Sequence, residues 1–90
     1  MEARWRQVAR MILADVLAVG SVATGAPALS PVEEEEVLDG IEFRLEGLLR
    51  RMGPDAPETD VQSGFRTAHP ELFDGTVAQR YARARRHDRH

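Results

Sequence analysis

The chain has 90 residues, 42% apolar and 30% charged, with twelve arginines, no lysine, no cysteine and a formal net charge of −3. That length allows one domain with a modest core, and the lack of cysteine excludes disulfides and thiolate metal sites, so stability has to come from packing or assembly. An all-arginine set of cations points to GC-rich coding in a bacterium or its phage, or to selection for bidentate contacts, and the missing cysteines suit a reducing cytoplasm.

The charge is segregated. Residues 1–30 carry +1, residues 31–60 carry −7 and residues 61–90 carry +3. Such a layout suits pairing of acidic and basic segments, within a chain or between copies, or an anionic partner.

The opening "MEARWRQVAR" and the apolar run after it share the outline of a secretory leader. Asp15 interrupts that run, where a carboxylate is costly in lipid, and no uncharged stretch reaches the roughly 18 residues of a membrane span. Neither is expected. The periodicity predicts instead an amphipathic helix over about 3–19. Trp5, Val8, Ala9, Ile12, Leu13, Val16, Leu17 and Val19 share one half of it, and Arg6, Gln7, Arg10 and Ala14 the other. It is expected to end near Gly20, where "GSVATGAPALS" loses the period. Asp15 falls at the border of the apolar half, as a polar residue on the core's rim or as the partner of an arginine from the C-terminal segment.

Residues 31–52 carry the clearest helix signals. Ser30 is placed as N-cap, Pro31 at the first helical position and Glu33 as the return arm of a capping box. Further glutamates load the positive end of the helix dipole, Arg50 and Arg51 stand at the negative end, and Gly53–Pro54 supplies the stop. Val37, Leu38, Ile41, Leu45, Leu48, Leu49 and Met52 form an apolar stripe expected to face the first helix. Gly40, Phe43 and Gly47 lie together on the opposite side. A glycine within a helix costs about 1 kcal/mol relative to alanine. Two readings follow: drift with a singly exposed aromatic, or a second contact face where another backbone comes close.

"GPDAPETDVQSG" has the composition of a linker, assigned to residues 54–69. "HPELF" then predicts a short helical turn starting at Pro70 and anchored by Leu72 and Phe73. Asp74 can cap a final helix from about Thr76, with Val77, Ala78, Tyr81 and Ala84 as a thin apolar edge. Arg80, Arg83, Arg86 and Arg89 cover the rest of it, with Arg85 intruding on the edge. The expected organisation is a helical hairpin (1–53), a linker (54–69) and a basic C-terminal arm (70–90).

Few residues suggest chemistry. His87 and His90 are three apart and could share a metal with Asp88, but Arg85, Arg86 and Arg89 would repel a cation. The run Glu33–Glu36 lacks the spacing of a calcium loop and reads as dipole compensation. His69, before Pro70, could be a lone general base, more simply a solvated or capping residue. No nucleophile lies beside a histidine, and "GSVATGAP" lacks the lysine and preceding strand of a phosphate loop. No catalytic residue, metal site or cofactor is assigned.

The basic arm has three possible uses. Against phosphates, each arginine would neutralise a charge and Tyr81 could stack, but the acidic remainder opposes a polyanion and no helix-turn-helix spacing is visible. Against a membrane, Trp5 between Arg4 and Arg6 could rest on anionic lipid, though the apolar half of that helix already has a matching stripe. Against protein, the arm meets an acidic surface. The expected molecule is therefore all-α and cytoplasmic: a non-enzymatic interaction or assembly protein that self-associates or docks on a larger acidic complex. Its candidate contact residues are Gly40, Phe43, Gly47, Arg80, Tyr81, Arg83, Arg85 and Arg86. The alternative is a small nucleic-acid-binding regulator using the same arm.

Overall fold

The computed structural model describes residues 2–24, 29–53, 55–75, 77, 80, 81 and 83. Its elements are α1 (Ala3–Thr24), α2 (Pro31–Met52), α3 (Glu58–Ala68) and a 3-10 turn, Pro70–Phe73. No strand occurs among the described residues.

The predicted hairpin is present, α1 packing along α2. From α1 the core takes Trp5, Val8, Ala9, Ile12, Leu13 and Val16, and from α2 Val37, Leu38, Ile41, Leu45 and Leu48. Burial of Trp5, 4% exposed, removes it from any lipid surface. Asp15 is exposed, as a rim residue should be. Helix α1 continues past Gly20 to Thr24, because one glycine costs only about 1 kcal/mol and the residues after it are compatible with a helix.

At the start of α2, the Ser30 hydroxyl accepts from the Glu33 amide (3.2 Å), and the Glu33 carboxylate accepts from the Ser30 amide (2.9 Å). Such a cap contributes about 1 kcal/mol. At the other end the Gly53 amide makes the last helical hydrogen bond to Leu49 O at 2.8 Å, and its φ of 94° turns the chain out of the helix.

The segment assigned as linker differs from expectation: residues 58–68 form α3. Val61 and Phe65, four apart and therefore on one face, are fully buried against the hairpin. Glu58 and Asp60 sit in the first turn and Arg66 in the last, as the helix dipole favours. Gly64 faces α2 closely, since a Cβ there would stand 3.4 Å from Met52 Sδ and 3.8 Å from Leu48 Cδ2. Burial overrides the segment's polar composition. With α3 in place, most of the hairpin stripe is covered within a single chain, Met52 remaining exposed, so packing supplies a core that does not depend on assembly.

Arg4 fastens this third helix to the first. Its Nε donates to Glu58 Oε1 at 3.0 Å and its Nη2 to Ala56 O at 3.0 Å, and its guanidinium lies 4.3 Å from the Trp5 ring centroid. Both members of the ion pair are about half exposed, so it adds at most about 1 kcal/mol. The 3-10 turn begins at Pro70 as expected and half-buries Leu72 and Phe73. Gly75, buried at φ 88°, turns the chain towards Val77, which joins the core. Val77, Arg80, Tyr81 and Arg83 have helical backbone, in agreement with the predicted basic helix.

Phe65→Ala is expected to cost about 3–5 kcal/mol, a large share of a small domain's stability. Leu45→Asp should unfold the chain outright, because an unpaired carboxylate in the core costs several kcal/mol. Urea titration followed by circular dichroism checks both. A Phe65→Ala midpoint equal to wild type would mean that α3 is not part of the core.

Candidate interaction face

Helix α2 has two unlike sides. One is consumed by the core. On the other, Phe43 is 78% exposed, a large aromatic left in water. The two glycines flank it. At Gly40 the carbonyl accepts from Arg44 Nη1 at 3.0 Å, and an added Cβ would meet that same nitrogen at 3.1 Å, the movable end of a flexible side chain. At Gly47 nothing stands within 4 Å of an added Cβ. Gly40, Phe43 and Gly47 thus share a side that no described element of the chain covers.

Beside Phe43 lies an open recess of about 260 Å³, lined by Phe43, Arg44, Glu46, Gly47, Arg50, Arg51 and His69. In the sequence Arg50 and Arg51 read as dipole partners and His69 as a loop residue. The fold adds His69 because α3, which it follows directly, packs against α2. The His69 ring stacks obliquely near Phe65, centroids 5.0 Å apart, with Nδ1 3.5 Å from Glu71 Oε1. No sequence spacing links residue 69 to residues 43–51, so only tertiary packing could reveal this cluster.

The arm starts on the same helix, nearer its N-terminus. Tyr81 is half-buried, and its hydroxyl donates to Glu36 Oε2 at 3.0 Å. Burial pushes the Tyr81 phenol above its ordinary value of 10.0. The Glu36 hydrogen bond and charge push the same way, as does the charge of Glu33, while Arg80 opposes them. Arg80 and Arg83 are exposed. Arg85 and Arg86 lie outside the described residues, as do His87, Asp88 and His90, to which no metal is assigned. Among the described residues no group of three or more His, Cys, Asp or Glu side chains is placed to hold a metal.

The face offers an apolar anchor, Phe43, with the guanidinium groups of Arg44, Arg50 and Arg51 and the carboxylate of Glu46 around the adjoining recess. That is the chemistry of binding a carboxylate-bearing surface. No helix among the described residues is long and apolar enough to cross a membrane. No family model, curated protein or solved structure matches the chain.

Tyr81 is the only tyrosine, so its ionisation can be followed by absorbance without ambiguity. Its midpoint should lie above 10.0, and Glu36→Gln should move it part of the way back, leaving the contributions of burial and of the Glu33 charge. A raised folded pKa means that the neutral phenol is favoured in the native state. The contact therefore stabilises the arm fully below pH 10 and is lost as pH rises through the raised midpoint. A midpoint at or below 10 would show that the arm does not rest on Glu36.

Proposed function

We propose that this is a non-enzymatic interaction or assembly protein, which docks acidic protein surfaces on the second side of α2 with help from its arginine-rich arm. The observation that carries this reading is Phe43, 78% exposed beside a recess bearing three arginines. A single exposed aromatic is ordinary on a protein surface. An exposed aromatic next to three guanidinium groups and an uncovered glycine has the make-up of an interface centre, where aromatic residues and arginine are enriched.

Docking to protein rather than to nucleic acid is supported by charge. The chain is net negative, and α2, which carries the recess, holds seven acids against Arg44, Arg50 and Arg51, a net −4. A phosphate backbone would be drawn to one end of α2 and repelled from the other, whereas a folded protein surface can present both signs. Tyr81, the residue that could stack on a base, is instead bonded to Glu36. Arg80 and Arg83 extend the positive surface from the arm.

A fluorescent acidic peptide with one leucine anchor should bind the protein, while a random DNA duplex should fail to compete at about 0.15 M salt. Replacing Arg50 and Arg51 together with Gln should weaken peptide binding about tenfold, equivalent to about 1.4 kcal/mol, and added salt should shrink the difference by screening. Tight DNA binding that depends on these arginines or on Arg80 and Arg83 would favour the nucleic-acid regulator instead.

A further inference from the structure

We infer that the surface docking on this face is a second copy of the same chain, with the two α2 helices back to back and antiparallel. In this arrangement Phe43 sits on the two-fold axis, and Glu36 of each copy stands opposite Arg50 of the other. The inference rests on the proposed function above and names its partner.

The order of residues along the exposed side carries the argument. At about 100° per residue, Glu36, Gly40, Phe43, Gly47 and Arg50 fall within about 60° of Phe43, all on the side away from the core. Glu36 and Arg50 are both exposed. Each is seven residues from Phe43, or about 10.5 Å along the axis at 1.5 Å per residue, one towards each end. The side is therefore acidic at one end, aromatic at the centre and basic at the other end. A parallel pair would bring like charges together at both ends. An antiparallel pair about Phe43 brings each Glu36 to an Arg50 and opposes the two helix dipoles favourably. A two-fold interface needs this kind of self-complementarity, in which residue i meets j and j meets i.

The glycines fit the same register. In an antiparallel pair with a two-fold axis, the same flank of both helices meets. Gly40 and Gly47 lie on one flank, so Gly40 of one copy comes within about 1.5 Å of the level of Gly47 of the other. Removing Cβ at both positions lets the backbones approach there. Gly47 is open, and Gly40 is covered only by the Arg44 guanidinium, which can swing aside. The recess formed by Arg44, Arg50, Arg51 and His69 then faces the acidic first turns of the other copy. The opposite flank has a cost. There Asp39 approaches Glu46 of the other copy, a repulsion that leaves the pair weaker than its other contacts suggest.

Charge reversal tests partner and register together. By sedimentation at roughly 50 μM, wild type should be dimeric, while Glu36→Arg and Arg50→Glu should each raise the dissociation constant at least tenfold. The double variant, with both pairs reversed, should recover most of that loss. Tyr81→Phe, which removes the Glu36 hydrogen bond without changing charge, should leave the mass unchanged. Since the chain has no cysteine, Phe43→Cys should form a disulfide-linked dimer on mild oxidation, because only residues at the axis meet their own copy at bonding distance. Both charged positions are exposed, so circular dichroism should be unaltered in every variant. A monomeric wild type, single reversals that remain dimeric, or a double reversal that stays apart would each overturn the inference. If wild type is monomeric yet still captures the acidic peptide through Arg50 and Arg51, the docking function stands and only the second copy is wrong. If it does neither, both readings fail.

Discussion

Phe65 is the residue on which the arrangement depends. A two-helix hairpin presents an apolar stripe that neither helix can cover alone, and Val61 and Phe65 from α3 close it. The neighbouring rings continue the closure: Phe73 stands edge-on to Phe65 with centroids 6.4 Å apart, and Arg66 lies 5.1 Å from the Phe73 centroid. Because α3 seals the stripe, stability and association become separate questions. A monomer with its own core can afford a reversible interface, whereas an open hairpin would be bound to its partner permanently.

The acidic half of α2 shows how local electrostatics are put to several uses. Glu33 is committed to the capping box and Glu36 holds the Tyr81 hydroxyl. What looks in the sequence like a surplus of negative charge is partly consumed at the helix end, where its amides and dipole favour anions. The first turn of the basic arm is drawn onto the same surface. The attraction between the segments of opposite charge is thus at least partly intramolecular.

The two sides of α2 assign its residues to different tasks. Val37 to Leu48 on one side make the core, and changes there are felt through packing and cavities. Phe43 and Gly47 on the other side lie outside the core among the described residues, so their make-up is not set by core packing. Glycine in mid-helix lowers helix propensity, and among the described residues nothing packs where a Cβ at Gly47 would stand. That is the physical reason for seeking a packing return in a contact with another surface.

The sequence by itself determined the elements whose signals are local. The capping box at Ser30–Glu33, the Gly53 stop, the period of both hairpin helices and the turn at Pro70 all rest on interactions within a few residues, and the structure contains each. The odd side at Gly40, Phe43 and Gly47 was equally legible, because a helical period fixes which residues share a face. Tertiary structure alone decided the rest. Helix α3 was hidden because its apolar residues, Val61 and Phe65, are sparse and its flanks carry proline and glycine; it is helical because burying those two side chains outweighs a polar composition. The recess was hidden for a related reason: His69 reaches Arg44, Arg50 and Arg51 only after α3 packs against α2. The Tyr81–Glu36 bond joins residues 45 apart in the chain, a distance over which charge segregation indicates that opposite segments attract but not which atoms meet.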